Sequence, residues 1–306
     1  MYPYRIITLP DGSGIYLYLI FILIGVLSAI IMCRVLADRR RMPAKLQNLI
    51  LIGAVVAVVI GYLSAVLWQA VYNAIETGKF ELNSGTGATF YGGLIGGAVC
   101  MLLIYFIGGK LLFKNTNEHL QWFSTFANIA GICIPLAHGF GRIGCLMAGC
   151  CHGAETNSWI GMSQYIEIAQ GQYAWRKVVP VQLFEAIFLF LLAAALIWMF
   201  WKGKGFELPI YFAGYGIWRF VIEYFRADDR GATFISFLSP SQLTAVVMIL
   251  IAAAIFISYY VLLKKKGKDI FKPPVAEKPA EAASQSGKED PESDSETIQS
   301  RDDQGK

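Results

Sequence analysis

The sequence predicts an all-α integral membrane protein of about seven transmembrane helices, with the N-terminus outside and the C-terminus cytoplasmic. Composition is the first observation behind that class. Of 306 residues, 56% are hydrophobic and 16% charged, and the mean hydropathy of +0.50 is far above that of a soluble domain. The second is a series of apolar runs, each long enough to cross ~30 Å of hydrocarbon as a helix. The third is the crowding of Lys and Arg into alternate connections, which orients the chain. The net charge of +4 is modest and is not read as a nucleic-acid-binding signal.

The spans follow in order. Residues 15–33 are uncharged and apolar, and residues 46–75 contain a second span. Residues 90–108 form a third, interrupted by paired glycines, and 120–136 a shorter fourth. Residues 178–201 carry one acid, Glu185; residues 208–225 carry Arg219 and Glu223; residues 242–263 complete the set. Basic residues mark the connections: Arg34, Arg39, Arg40, Arg41 and Lys45 in the first, Lys110 and Lys114 in the third, Lys202 and Lys204 in the fifth. Lys264, Lys265 and Lys266 follow the last span. With seven spans all four groups share one side, which is cytoplasmic, and the long 137–179 segment faces outward. Arg5 is the sole basic residue before the first span and no small-residue cleavage site follows it, so no cleavable signal peptide is expected.

Two regions result: a polytopic membrane domain over 1–263 and a charged cytoplasmic tail over 264–306. From Gly267 onward Pro, Glu, Ser, Asp and Lys dominate. Such a composition cannot bury enough surface to offset ordering entropy, so the tail is expected to be disordered.

Charge inside a span costs ~3 kcal/mol on insertion scales, and such residues face a partner or a watered cavity. Arg219 and Glu223, four apart, share a helix face, and Arg226 follows at seven. They make either a structural ion pair or an anion site in which Glu223 positions the guanidinium. Gln182 and Glu185 either bond a neighbouring helix or wall the same cavity. Tyr91 beside Gly92 and Gly93, and Tyr16 with Tyr18, read first as interfacial aromatics.

The stretch AHGFGRIGCLMAGCCHG, residues 137–153, holds one arginine, two of the three histidines and three of the six cysteines. Five glycines make it a poor regular helix, since each costs ~1 kcal/mol in a helix interior. The expectation is irregular backbone lining a cavity, its amides and Arg142 forming an anion cradle. The planar guanidinium suits a phosphate, so Arg142 and Arg219 would grip one lipid phosphodiester from two elements. Cys33, Cys100 and Cys133 sit in apolar runs as small packing residues. Cys145, Cys150 and Cys151 with His152 admit three readings: close-packing residues, a redox pair, or a metal site. Their spacing is not a C-x-x-C pair, and adjacent cysteines seldom both ligate one zinc.

These residues resemble the bacterial prolipoprotein diacylglyceryl transferases. The family's Gly-Arg-hydrophobic-Gly-Asn run matches Gly141-Arg142-Ile143-Gly144-Cys145, closing at Gly153. FYGGLIGG resembles its His-Gly-Gly-Leu segment and PVQLFEA its Pro-Ser-Gln-Leu-Tyr-Glu segment. GYGIWRFVIEYFRADD resembles its late Arg…Glu…Phe-Phe-Arg block, and LSPSQL its Ser-x-x-Gln segment. The similarity covers most of residues 14–263.

The resemblance implies transfer of a diacylglyceryl group from phosphatidylglycerol to the lipobox cysteine thiol of a preprolipoprotein. Glycerol 1-phosphate leaves, and no cofactor or metal is required. Membrane lipids and a preprolipoprotein signal peptide are the implied partners, and the implied setting is the bacterial cytoplasmic membrane with the active site toward its outer face. Arg142 would hold the lipid phosphate, Arg219 would stabilise charge on the departing phosphate, and Glu223 would orient Arg219. Tyr18 and Gly153 match functional positions of the family. Three positions depart: the family histidine is Tyr91, the asparagine is Cys145 and the following acid is Cys150. An arginine expected near IGYLSAVLW is absent. A phenol titrates near ~10 and is a weaker base than imidazole, so His138 or His152 becomes an alternative base. A relative with another acceptor, and a lipid-binding or transport protein without chemistry, are the competing readings.

Overall fold

The computed structural model describes residues 5–8, 14–83, 86–114, 116–169, 172–226 and 238–266. The chain divides into two units, residues 1–274 and 275–306; the second lies wholly outside the described residues, as does all of the expected tail from Gly267.

A short antiparallel pair, β1 (Arg5–Thr8) and β2 (Gly14–Tyr16), leads directly into α1 (Leu17–Arg39). Then come α2 (Ala44–Thr77) and α3 (Phe90–Leu103); α3 continues through a π-helical turn (Ile104–Gly108) into α4 (Gly109–Leu112). Next is α5 (Glu118–Ala148), followed by a hairpin of β3 (Met162–Ala169) and β4 (Gln172–Val178). The chain closes with α6 (Val181–Trp201), α7 (Glu207–Ile222), a 3-10 turn (Glu223–Phe225) and α8 (Pro240–Lys266).

Among the described residues, six helical stretches are long and apolar enough to cross a membrane: Leu17–Arg39, Ala44–Ile75, Phe90–Leu112, Glu118–Ala148, Val181–Trp201 and Pro240–Val261. The expected sixth span, residues 208–225, is the exception. Its α-helix is 16 residues long and breaks into the 3-10 turn at Glu223. It carries two buried charges, Glu207 and Arg219, and packs mainly on α8, α5 and α6. A short helix walled by protein needs neither full span length nor a uniformly apolar surface. At the C-terminal end, α8 runs through Lys266, so the first three residues assigned to the tail extend the last helix.

Two packing regimes coexist. α1, α5, α6 and α7 surround one core containing Leu36, Trp122, Ile132, Leu189, Leu196 and Tyr215, with α8 against α7. The antiparallel pair α2–α3 packs chiefly against itself. There, a Cβ at Gly96 would lie 2.3 Å from the Ser64 hydroxyl, so backbone proximity rather than side-chain interlock closes the pair. The outward faces stay apolar, as at Ile52, Leu63 and Leu191; with hydrocarbon as solvent there is no penalty for that.

The glycine-rich stretch corrects the sequence expectation. α5 is one continuous helix through Ala148, with Pro135 accommodated inside it. The amides of the 139–148 run are spent on the helical ladder and do not form a loop cradle. Tertiary contact explains the override. A Cβ at Gly139 would meet the Phe190 ring at 2.7 Å, and one at Gly144 would press on Tyr18 at 3.2 Å. These glycines admit neighbours to the helix surface, and that packing offsets their poor helix propensity.

Candidate active site

Helix alternation gathers the chemistry at one end of the bundle. The N-terminal ends of α1, α3, α6 and α8 bring Tyr18, Tyr91, Glu185 and Ser241. The C-terminal ends of α5 and α7 bring Arg142, Cys145 and Arg219. The basic connections identified from sequence all lie at the opposite helix ends.

Arg142 is not free for a ligand alone. Its Nε lies 3.0 Å from Glu185 Oε2, and it donates to His138 Nε2 at 3.2 Å, one turn back on α5. Glu185 is fully buried, and its Oε1 accepts from the Tyr215 hydroxyl at 2.7 Å. A lone buried carboxylate would be prohibitively costly; here the adjacent Arg142 charge and one phenol hydrogen bond offset that cost. Glu185 thus meets neighbouring helices, through Arg142 of α5 and Tyr215 of α7, whereas Gln182 bonds to the loop after α5 and to β3 rather than to a helix.

Arg219 pairs with Glu223, Nη2 to Oε2 at 2.8 Å, as the four-residue spacing anticipated. It also donates to the Ser241 hydroxyl. Glu223 Oε1 accepts from Ser239 Oγ at 2.8 Å, and the Ser239 amide donates to Gln242 Oε1 at 3.1 Å. So the LSPSQL segment caps α8 and clamps the ion pair. Among the described residues Arg219 Nη1 is buried without a hydrogen-bond partner. A buried guanidinium N–H without an acceptor costs about 1–3 kcal/mol, and an anion at that edge would remove the cost.

The two arginines share a neighbourhood. The charges of Arg142 and Arg219 both act on Glu185, and both act on His138. Arg226 separates from them. Helix α7 ends before it, its backbone is extended, and it pairs as an antiparallel bridge with Gly153. The seven-residue spacing therefore does not put Arg226 on the Arg219 face, since periodicity fails where the helix stops. Residues 227–237, including the rest of the RADD match, lie outside the described residues.

Gly153 sits at a backbone seam. Its amide donates to Val179 O at 2.8 Å, and a Cβ there would meet Phe225 O at 2.4 Å. Glycine is needed because three chain segments touch there. Tyr91 is half-exposed and turned to α8. Its hydroxyl lies 2.9 Å from Thr244 Oγ1 and 3.3 Å from Pro240 O, one residue before Ser241. Tyr18 is also half-exposed. Its ring packs beside Gly144, where the Cys145, Cys150 and Cys151 thiols and the Arg142 charge act on it.

The three clustered cysteines have Sγ atoms all within 4.8 Å of one another. Gly149 caps α5 in the left-handed region at φ 72°, and Cys151 repeats that geometry at φ 60°. Gln182 Nε2 ties the Cys150 carbonyl at 3.0 Å while also holding Gln164 Oε1 of β3 at 3.0 Å. Hydrogen bonds from the Cys145 and Cys150 thiols, reinforced by Arg226 and Arg142, hold the Cys151 thiol below its ordinary range. The same hydrogen bonds, with burial, push the Cys150 thiol up. His152 instead turns Nδ1 to its neighbour's carbonyl, Gly153 O, at 3.0 Å.

Sequence reasoning missed Tyr215, Ser239 and Ser241 as site residues. Tyr215 was legible in principle: it lies four residues before Arg219, as Glu223 lies four after. The serines carry no periodic signal, and only the return of α8 against α7 brings them to the ion pair.

With this geometry established, comparison with known proteins is specific. The prolipoprotein diacylglyceryl transferase family model matches residues 5–258. A phosphatidylglycerol–prolipoprotein diacylglyceryl transferase of Clostridium tetani is 31% identical over 252 residues, 80% of this chain and 93% of that protein. One of Clostridium perfringens, numbered 2, is 36% identical over 171 residues, 54% of this chain and 60% of the relative. One of Chlorobaculum tepidum is 32% identical over 196 residues, 63% and 62% of the two chains. The chain therefore belongs to the prolipoprotein diacylglyceryl transferase family.

Proposed function

We propose that this chain moves the diacylglyceryl group of phosphatidylglycerol onto a preprolipoprotein thiol, the first step of lipoprotein maturation, using the arginine pair as its phosphate site. The observation that carries the assignment of residues is the second buried guanidinium. Arg219 is clamped by Glu223 and Ser241 and keeps Nη1 unpartnered beside a neighbourhood it shares with Arg142.

The reaction is a substitution at the glyceryl carbon. The acceptor thiol gives its proton to solvent and its sulfur attacks that carbon, the carbon–oxygen bond to phosphate breaks, and glycerol 1-phosphate leaves with the bonding electrons. Negative charge grows on the phosphate, and guanidinium donors fixed in a dry site stabilise it there with little reorganisation. Arg142 binds the phosphodiester, balanced by Glu185 and His138. Arg219 meets the developing charge, with Glu223 as its positioning residue. Tyr18 and Cys145 face the acceptor side, and Tyr91 shapes the rim through α8. Gly153 keeps the seam closed that holds α7 against the loop after α5. The lipobox cysteine of a signal peptide is the acceptor. The basic connections opposite the site support a cytoplasmic-membrane setting with the site toward the outer face.

The test supplies purified chain with phosphatidylglycerol and a lipobox peptide. A peptide mass gain of one diacylglyceryl group, lost in Arg142→Ala and Arg219→Ala, is expected. No gain where a known family member reacts would overturn the assignment. Rescue of a strain lacking its own transferase then separates the lipobox acceptor from a different one.

A further inference from the structure

The outward face of the β3–β4 hairpin has no part in the site described above. Strand alternation sends successive side chains to opposite faces. One face is spent on the protein: Gln164, Ile166 and Val178 are buried, and Gln164 is the residue that Gln182 holds. The other face carries Tyr165, Tyr173 and Trp175. Tyr165 pairs with Trp175 across the hairpin, and its ring centre lies 5.5 Å from that of the indole and 5.6 Å from that of Tyr173. Trp175 is 62% exposed and Tyr173 39%. Contiguous exposed rings of this kind mark a protein or a membrane contact.

The position of the hairpin favours the membrane. α6, one of the six spans, begins at Val181, three residues after β4 ends, and its residues Ile187 and Leu191 face outward. The hairpin therefore stands where that span leaves the hydrocarbon. Other helix ends at this end of the bundle carry exposed aromatics at the same boundary: Tyr16 before α1, Phe90 opening α3 and Tyr224 after α7. The patch is bonded to the last of these regions. Phe225 O accepts from the Ala154 amide at 3.1 Å, and the Thr156 amide donates to Lys177 O of β4 at 2.9 Å.

The chemistry matches that level. Tyr and Trp join an apolar body to a polar tip and concentrate where hydrocarbon meets headgroups. A peptide bound as an added strand would instead need a free sheet edge. Residues 154–156 hold the end of β4, and the backbone of β3 at Tyr165 presses against Gly149. The ring-bearing face is what stays open.

We propose that the Tyr165–Tyr173–Trp175 face seats on the phospholipid headgroup layer at the site end of the bundle. The seat itself does not depend on the transferase reading. Its role does: the contact sets the depth of the hairpin and, through Gln164 and Gln182, of the Cys150 carbonyl in the loop after α5.

The experiment uses the full chain in phosphatidylcholine–phosphatidylglycerol nanodiscs. Tryptophan emission is quenched by lipid carrying a nitroxide at its headgroup or by iodide in the water. The difference between the parent chain and Trp175→Phe isolates the Trp175 signal. The headgroup nitroxide should quench that signal several-fold more than iodide does. A second measurement needs no variant: lipid with a photoreactive headgroup should label residues 172–178 of the parent chain. A Trp175 signal indifferent to the nitroxide overturns the seat, and so does labelling that avoids the hairpin. Shielding from iodide that appears only with an added lipobox peptide also overturns it, and gives the face to the acceptor. For the role, Tyr173→Ser combined with Trp175→Ser should lower diacylglyceryl transfer several-fold in nanodiscs and leave it unchanged in detergent. Equal transfer by that variant and the parent in nanodiscs overturns the role. No transfer by the parent chain fails the transferase reading, while quenching and labelling still decide the seat.

Discussion

The α2–α3 pair and the α5–α6–α7 bundle are both built from largely apolar sequence yet solve opposite problems. In α2–α3 the described contacts are carried largely by small residues, Gly96 against Ser64 and Gly93 against Ala65, and large side chains such as Ile52 and Leu63 face outward. In α5–α7 the outward faces are similar, but the interior holds Arg142, Glu185, Tyr215 and Arg219. The first region can be perturbed by volume alone. The second carries charges that must remain matched. In a membrane this difference separates scaffold from site more sharply than burial does, because hydrophobic burial no longer drives helix association.

The comparison breaks most readily at Glu185. Glu185→Ala leaves Arg142 and Tyr215 facing an empty position, and removing one partner of a buried pair costs about 3–5 kcal/mol. Denaturant unfolding in detergent should show that loss together with loss of transfer. Leu63→Ala on α2 should change stability by less than about 0.5 kcal/mol. Equal effects at the two sites would erase the distinction.

Next is Arg219→Ala, which should lower transfer by about 10²–10³ at near-normal folding yield. Arg219→Lys keeps the charge but not the fork, and should recover only part of that loss. Rates at saturating phosphatidylglycerol distinguish charge stabilisation in the reaction from lipid affinity.

Gly96→Leu tests the scaffold side. Its side chain enters space held by Ser64, and overpacking of this kind costs about 1–3 kcal/mol. Unfolding should become easier, while transfer per folded molecule stays within about twofold of the parent chain. A large drop in specific activity would mean that α3 serves the site beyond its N-terminal Tyr91.

The smallest effect is expected at Tyr91→Phe, which removes one hydroxyl from the Thr244–Pro240 group at a cost of about 0.5–1.5 kcal/mol. A several-fold decrease in transfer fits a rim residue. A loss comparable with Arg219→Ala would make the phenol itself a catalytic group.

Much of this organisation was readable in the residues. The Arg219–Glu223 pair followed from spacing, and six of the seven expected spans from length and hydropathy. Three features resisted. The 137–153 stretch looked too glycine-rich for a helix because propensity is local, whereas Phe190 and Tyr18 hold its glycines from other helices. Arg226 looked co-facial with Arg219 because periodicity assumes a helix that in fact ends at Ile222. Ser239 and Ser241 looked like a turn motif, since their partners lie on α7.

By itself the sequence determined the solvent, the rough extent of most apolar helices, and which costly charges had to find partners, for these depend on composition and spacing along one chain. Only the tertiary structure decided that Arg142 answers to Glu185, that Arg219 keeps one donor unfilled, and that three thiols meet. Those outcomes depend on distances between helices remote in sequence, set by where small residues let backbones approach.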